Sequence, residues 1–252
     1  MAHLPPAGAA VNTARTWRSA GRTVQGKLRS RNEDAFLDCP QRGCWAVADG
    51  MGGHQAGDVA SRWVISSLAS LPDQGSFDQR VEAVRRCLRG LDSQLGQTPT
   101  APADGPAGIM GSTVVALLLE DQRAACIWGG DSRCYLWRGQ RLYQLSRDHT
   151  VLQQLMDTQQ LSLEQARVYP GARALTRAIG ARQALSLEVL ELSTQPGDVF
   201  LLCSDGLYQG LSHGELGSAM SVGTPWRVVE RLFNDVLRGP ARDDLTAVVI
   251  QP

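Results

Sequence analysis

Acidic residues and glycines are concentrated around one short apolar segment of the chain. Residues 44–48 form an apolar run that suits a buried strand, and Asp49 follows it directly. Gly50, Gly52 and Gly53 come next, and glycine lets the backbone adopt positive φ and come close to a ligand. This arrangement suits an ion that is contacted by a carboxylate and a backbone carbonyl together.

An Asp-Gly pair standing alone is typical of an ordinary surface turn, but further acidic residues here have the same setting. Asp205 follows the apolar run 199–203, and Asp131 follows a shorter one. Asp243 and Asp244 directly precede another apolar run. Carboxylates that converge raise each other's pKa unless cations offset their charge. Oxygen ligands favour Mg²⁺ or Mn²⁺, and no Cys or His pair here has the spacing of a zinc site.

Seven segments, taken in order, carry a resemblance that spans nearly the whole chain. They are Arg29-x-x-x-Glu33-Asp34, Ala48-Asp49-Gly50-Met51-Gly52-Gly53-His54, Gly111-Ser112-Thr113, Gly130-Asp131-Ser132-Arg133, Leu175-Thr176-Arg177-Ala178-Ile179-Gly180, Ser204-Asp205-Gly206-Leu207 and Asp243-Asp244-Leu245-Thr246. One such segment would recur by chance in unrelated chains, whereas the order of all seven is specific. The chain resembles the metal-dependent protein phosphatase family called PP2C, in its compact bacterial form.

The resemblance implies a centre of two Mn²⁺ or Mg²⁺ ions. Asp49 would bridge both ions, and Glu33 and the carbonyl of Gly50 would complete the ligands of one of them. Asp205 and Asp243 would hold the other ion.

Further roles follow from the same resemblance. Asp131 would hold a third, more weakly bound ion together with Asp205. Arg29 would bind the substrate phosphate, because its planar fork of donors can address two phosphate oxygens at once. Asp34 and Asp244 would orient the site without binding metal. Asp244 stands where asparagine is usual, and the sequence leaves open whether the extra carboxylate tightens metal binding or changes a hydrogen bond.

The implied activity is hydrolysis of phosphoserine and phosphothreonine in proteins by a water held between the ions, opposing a bacterial kinase of the eukaryotic type. Two alternatives stay open. The same fold serves as a catalytically weak binding module, although every metal-bearing carboxylate is present here. Small phosphomonoesters are the other candidate substrates. Metal-bound water could protonate the leaving group, as could His54 or His149, but a lone histidine is more often structural.

Other classes of protein lack support in the sequence. None of the six cysteines is followed by five residues and an arginine, as a cysteine-dependent phosphatase requires, and buried reduced thiols are expected instead. No glycine-rich loop ends in Gly-Lys-Ser/Thr, which excludes a P-loop nucleotide site. A formal net charge of zero without a dense basic run argues against nucleic acid as a partner.

Strand-like and helix-like patterns occur in blocks that predict a layered α+β domain. The resemblance implies a four-layer α-β-β-α sandwich of two mostly antiparallel sheets flanked by helices. Trp63 and Trp226 are predicted to pack helices onto the sheets. The strand candidates are 44–48, 112–119, 124–128, 134–137, 185–192, 199–203 and 245–250, and the helix candidates are 58–71, 77–95, 216–220 and 226–237.

One domain is expected over residues 16–252, after a flexible tail at 1–15, with a flap-like helical insert at 151–173 beside the site. The chain has no secretory signal or membrane-spanning run, so a cytoplasmic protein is expected. A monomer is also expected. Its length and residues 17–21 look similar to phosphatases associated with type VI secretion. The partners of that subgroup are a membrane kinase and a forkhead-associated scaffold.

Overall fold

The computed structural model describes residues 17–52, 56–97, 110–181 and 184–251. The predicted tail at 1–15 lies outside the described residues. The strands are β1 (Arg18–Val24), β2 (Asp34–Cys39), β3 (Cys44–Met51), β4 (Gly111–Ser112), β5 (Val114–Glu120), β6 (Arg123–Gly129), β7 (Arg133–Arg138), β8 (Arg141–Gln144), β9 (Glu188–Ser193), β10 (Val199–Cys203) and β11 (Leu245–Gln251). The helices are α1 (Ala56–Ala69), α2 (Phe77–Gln97), α3 (Val151–Thr158), α4 (Leu163–Arg167), α5 (Asp205–Tyr208), α6 (His213–Met220) and α7 (Pro225–Leu237).

The strands form two antiparallel sheets. The first sheet has the order β1-β11-β10-β7-β8, and the second has the order β2-β3-β5-β6-β9, with β4 paired to β3. In the first sheet, β1 pairs along its whole length with β11, which is the most distant strand in the sequence. The two ends of the domain are therefore joined in one sheet.

Three apolar clusters show that the two sheets pack face to face between helices. Side chains of α1 and α2 pack against the outer face of the second sheet. Side chains of α6 and α7 pack against the outer face of the first sheet. The third cluster lies between the sheets and includes Trp45, Val47, Phe200 and Leu202. This is the four-layer α-β-β-α sandwich that the resemblance implied.

Period-2 alternation in the strands decides which face each side chain occupies. In β3, Trp45 and Val47 point into the space between the sheets, while Ala46 packs under the helices. In β10, Phe200 points between the sheets and Leu201 points toward α7. Because both faces of these strands are covered, they read in the sequence as continuous apolar runs.

The flap predicted at 151–173 contains the two short helices α3 and α4. The Thr150 hydroxyl accepts a hydrogen bond from the third residue of α3, and α4 begins with a capping box formed by Ser162 and Gln165. At the base of the insert, the Leu152 N–H donates to the Ala172 carbonyl at 2.7 Å. The two ends of the flap are thus held next to each other by a backbone hydrogen bond.

The sequence patterns missed some elements and misplaced one tryptophan. Strands β1, β2 and β8 were not predicted, and the strand expected at 185–192 begins only at Glu188. Trp63 packs against the cluster under α1 as predicted. The prediction for Trp226 was wrong, because its side chain is 54% exposed near the start of α7.

The cysteines are free thiols, and four of them are buried while Cys39 and Cys87 are half-buried. Burial raises the pKa of Cys44 to about 11, which keeps this thiol protonated and unreactive. Among the described residues, no helix combines the length and apolar character needed to cross a membrane.

Candidate metal centre

The predicted acidic residues of the first sheet lie at one edge of it. Cys203, the last residue of β10, pairs with Arg133 at the start of β7 and with Ala247 near the start of β11. One strand therefore ends at this edge and its two neighbours begin there. The segments at this edge carry Asp131, Asp205, Asp243 and Asp244, with Asp205 at the start of α5.

The second sheet presents its acidic residues at the same edge. Asp34 begins β2 and stands directly opposite Asp49 in β3. Two side-chain hydrogen bonds join the sheets here, because the Ser204 hydroxyl donates to Asp34 at 2.6 Å and the hydroxyls of Thr113 and Ser132 bond at 2.7 Å. Carboxylates from both sheets consequently face one region.

The backbone around Asp49 is held by neighbouring chain segments. The Asp49 N–H donates to the Thr113 hydroxyl at 3.1 Å, and the Asp49 carbonyl accepts from the Thr113 N–H at 2.8 Å. The Gly50 N–H donates to the Glu33 carbonyl at 3.0 Å. A Cβ on Gly50 would collide with the carbonyl of Gly57, so Gly50 is needed for close approach rather than for the positive φ suggested by the sequence.

Glu33 reaches the site over the first turn of α1. A Cβ on Gly57 would lie 2.7 Å from the Glu33 carboxyl carbon, so only glycine leaves room for this carboxylate. The backbone N–H groups of a first helical turn favour a negative charge nearby. Gly57 is a residue of the site that the sequence reasoning did not assign, although it ends the glycine-rich stretch that began at Gly50.

Asp244 is buried and supports the loop that carries Glu33. One carboxylate oxygen accepts from the Gly26 N–H at 2.8 Å, and the other accepts from the Glu33 N–H at 2.8 Å. A Cβ on Gly206 would collide with the Asp244 carbonyl, so the backbone passes close on that side as well. Both oxygens of Asp244 are engaged by backbone donors, so this carboxylate holds the backbone of Gly26 and Glu33 in place.

Asp205 begins α5, and the Gln209 amide donates to its carboxylate at 2.6 Å. The Tyr208 hydroxyl, on the same short helix, donates to the backbone carbonyl of Asp131 at 3.1 Å. Helix α5 therefore ties together the two residues to which the third ion was assigned.

An ion pair between Arg133 and Asp148 packs against Tyr208 of α5. The guanidinium of Arg133 makes two hydrogen bonds to the carboxylate of Asp148, at 2.8 and 2.6 Å, and lies 3.6 Å from the ring centroid of Tyr208. Such a bidentate and stacked arrangement suits arginine and would be lost with lysine. Arg133 belongs to a matched motif, but its sequence context alone did not indicate this role.

Arg29 lies at the rim of the site and contacts Asp243. Its Nε donates to Asp243 Oδ1 at 2.7 Å, and its Nη2 lies 2.6 Å from the same oxygen. Its Nη1 lies 4.0 Å from the Glu33 carboxylate. The Arg29 side chain is 42% exposed, so part of its donor fork faces solvent, where a phosphate could approach.

The carboxyl groups raise each other's proton affinity. Burial and the charges of neighbouring aspartates raise the pKa of Asp49 well above its ordinary value. Burial, followed by repulsion from Asp205, raises the pKa of Asp131 to about 7. Burial also raises the pKa of Asp34 to about 7, and burial with the charge of Asp243 raises that of Asp205 to about 6. A positive charge among these groups would stabilise their ionised forms.

The donors at this edge fit a hard divalent cation, because they are carboxylates and a backbone carbonyl. Within the described residues, no three His, Cys, Asp or Glu side chains lie close enough together to hold one ion between them. The bond between Arg29 and Asp243 engages one predicted ligand. The agreement with a metal centre therefore lies in the chemistry and shared location of the donors.

His149 contacts Glu188 and the backbone before Asp131, and it does not reach into the cluster of carboxylates. Its Nδ1 accepts from the Gly130 N–H at 3.1 Å, and its Nε2 lies 3.1 Å from a Glu188 oxygen. Burial lowers its pKa, so the ring is neutral with its proton on Nε2. His149 thus fixes the loop before Asp131, and His54 lies outside the described residues.

Residues 27–247 match the sequence model of the family described as Protein phosphatase 2C, and the chain belongs to this family. The serine/threonine protein phosphatase PstP of Mycobacterium tuberculosis is 32% identical over 232 residues, which are 92% of this chain and 44% of PstP. The chain thus spans less than half the length of this curated relative.

Two solved structures share the fold over most of both chains. PppA of Pseudomonas aeruginosa, described as a key regulatory component of T6SS, superposes with a TM-score of 0.85 at 38% identity, covering 94% of this chain and 98% of PppA. The catalytic domain of PstP in complex with two manganese ions gives a TM-score of 0.78 at 32% identity, covering 93% of this chain and 97% of that domain.

Proposed function

We propose that this chain is a metal-dependent phosphatase that removes phosphate from phosphoserine and phosphothreonine in proteins. The observation that carries the proposal is the shared edge of the two sheets, where oxygen donors from both sheets face one region beside an arginine. Membership of the Protein phosphatase 2C family and the manganese-bound PstP domain support the same activity.

The residues would divide the work as follows. Asp49, Glu33 and the Gly50 carbonyl would hold one Mn²⁺ or Mg²⁺ ion, and Asp49, Asp205 and Asp243 would hold the second. When bound, the ions supply an activated water and positive charge for an attack in line with the phosphorus, so no side-chain nucleophile is required.

The remaining residues would position these ligands and the substrate. Asp131 would hold a third ion with Asp205, while Asp34 and Asp244 fix the backbone and hydroxyl groups around them. Arg29 would bind the phosphate oxygens through the part of its fork that faces solvent. Its present bond to Asp243 holds the guanidinium at the rim, next to the place where the phosphate must arrive.

Phosphate release from a phosphothreonine peptide tests the proposal, with Mn²⁺ and then with EDTA, in the wild-type protein and in Asp49→Asn. Hydrolysis that requires both Mn²⁺ and Asp49 is expected, since loss of the bridging carboxylate removes a ligand of two ions. Calorimetric titration with Mn²⁺ reports the loss of binding independently of activity. Asp73→Asn is the matched control, because Asp73 is exposed in the loop after α1.

The outcomes separate the alternatives. Full activity of Asp49→Asn would contradict the metal assignment. A folded, metal-binding protein without activity on any phosphoester would indicate the binding-module alternative. Hydrolysis of small phosphomonoesters but not of phosphopeptides would indicate the other alternative.

A more specific setting is also proposed. The chain would act as a monomer in the cytoplasm, opposing a eukaryotic-type serine/threonine kinase, with a forkhead-associated protein as scaffold. The similarity to PppA supports a place beside type VI secretion. The test is incubation of the purified chain with the phosphorylated kinase and the forkhead-associated protein from the same genome. Unchanged phosphate on both would contradict this setting.

A further inference from the structure

A groove of about 800 Å³ runs from the metal-binding edge between the flap and the α5–α6 segment. Asp131 and Asp205 line its inner end, so it is continuous with the proposed catalytic centre. Its volume falls within the roughly 300–1,000 Å³ typical of ligand pockets. A chain segment that presents a phosphorylated residue to the centre can therefore lie along this groove.

Some charged side chains along the groove have an oppositely charged partner, and others do not. The two aspartates at its inner end belong to the proposed metal centre, and Asp148 is bound to Arg133. On the flap side, Arg167 and Arg173 line the groove, and both are exposed. Within the described part of the chain, neither arginine forms an ion pair with an acidic side chain. The flap side of the groove thus carries two exposed positive charges, while its inner end carries carboxylates.

Arg173 adds a second cation near the proposed metal centre, after Arg29, which contacts Asp243 directly. The side chains of Arg173 and Asp205 line the same groove. Arg167 ends α4 and lines the same wall. An anion next to the phosphorylated residue would meet one or both guanidinium groups.

Glu215, close in sequence to the groove residues Ser212 and His213, does not itself line the groove. The carboxylate of Glu215 accepts hydrogen bonds from the N–H and hydroxyl of Ser212, where it caps α6. The Gln209 amide is bound to Asp205. Apart from the two aspartates at the inner end and the Arg133–Asp148 pair, the Asp and Arg side chains that line the groove are Arg167 and Arg173.

Apolar contacts are available beside these cations. Leu152, Leu163 and Leu211 line the groove, and Leu163 is 38% exposed. Val168 and Tyr169 follow Arg167 in the chain outside the groove lining, and they are 81% and 47% exposed. This mixture of exposed apolar groups and arginines suits a peptide segment better than a small hydrophilic molecule.

We propose that this groove binds the part of the substrate protein next to the phosphorylated residue, and that Arg167 and Arg173 select a substrate with an anionic side chain there. The anion is a carboxylate or a second phosphate, both of which match the guanidinium fork. This inference rests on the proposed phosphatase activity and specifies its substrate class.

The test measures kcat/KM for phosphothreonine peptides that differ at one position. One series places aspartate at successive positions on either side of the phosphothreonine, a second places phosphoserine there, and the reference peptide has alanine throughout. At the preferred position we expect kcat/KM to exceed that of the reference peptide by roughly three- to tenfold, as for a charge-assisted contact that is partly exposed. The two series distinguish a carboxylate from a second phosphate as the anion.

Arg173→Gln and Arg167→Gln should reduce the preference for the acidic peptide over the reference peptide. Arg227→Gln is the control, because Arg227 is exposed on α7 and does not line the groove. The readout is the ratio of kcat/KM for the acidic and reference peptides. A substitution that acts only through Asp205 would lower both values equally and leave the ratio unchanged, which would overturn the role of that arginine. Equal hydrolysis of all peptides by the wild type would overturn the inference while leaving the phosphatase activity standing. Failure to hydrolyse any peptide would overturn both.

Discussion

Replacing Asp244 with asparagine tests whether this carboxylate is a structural acceptor for two backbone donors. In the protein, its two oxygens accept from the Gly26 and Glu33 N–H groups, each at 2.8 Å. Asparagine has only one oxygen, so its NH₂ group would face one of these N–H donors. Although asparagine is the usual residue in the family, the geometry here predicts that Asp244→Asn is destabilising.

The expected change in the free energy of unfolding follows from one lost hydrogen bond and one relieved repulsion. Losing a charge-assisted bond and leaving a buried N–H without an acceptor costs about 1.5–3 kcal/mol. Against this, the charge of Asp244 contributes to the raised pKa values of Glu33 and Asp34, so its removal relieves some repulsion. We expect a net loss of about 1–2 kcal/mol, which corresponds to a fall in Tm of about 3–6 °C for a domain of this size.

Thermal unfolding of the wild type, Asp244→Asn and the exposed control Asp73→Asn would be compared in EDTA and in Mn²⁺. Because the Glu33 backbone is one of the two donors, calorimetry should also show weaker Mn²⁺ binding by Asp244→Asn. An unchanged or higher Tm in both conditions, together with unchanged Mn²⁺ binding, would refute the structural role of the carboxylate.

Three further predictions follow from contacts at the same edge. Arg29→Ala should lower kcat/KM by roughly ten- to a hundredfold, mainly through KM, because a charge-assisted phosphate contact is lost; Mn²⁺ binding should not weaken, and an unchanged KM would contradict the assignment. Gly57→Ala should weaken Mn²⁺ binding measured by calorimetry, because its Cβ would lie 2.7 Å from the Glu33 carboxyl group; binding equal to wild type would show that Glu33 is not a ligand. In EDTA, the Tm should fall as pH rises from about 4 to about 7. The reason is that carboxyls such as Asp34, with a pKa raised to about 7, bind more protons in the folded state than in the unfolded state. Mn²⁺ should remove this dependence, and a Tm in EDTA that is flat or rising over this range would contradict the prediction.

The elements that could be predicted are those whose own sequence carries a strong signal. Strands β5, β6 and β10 are long apolar runs because both of their faces are covered. Helix α7 has Val228, Val229, Leu232, Phe233 and Val236 on one side, which is the spacing of a helix packed on a sheet.

Other elements have little signal of their own and depend on their neighbours. Strand β1 reads Arg-Ser-Ala-Gly-Arg-Thr-Val and is mostly half-buried, so its extended form is stabilised by pairing with β11. Strand β8 is an outermost strand of the first sheet and is mostly exposed. The exposure of Trp226 also depends on how α7 is oriented, because aromatic character alone does not show which face of a helix is covered.

The sequence by itself predicted which residues bind metal and phosphate, because the carboxylates stand beside recognisable apolar runs and the seven motifs occur in a specific order. Only the tertiary structure decided how those residues are supported. The pairing of both Asp244 oxygens with the Gly26 and Glu33 backbones, the bond between Arg29 and Asp243, and the groove lined by flap arginines all join segments far apart in the chain. Such contacts depend on the order and packing of the two sheets, and no local pattern of residues encodes them.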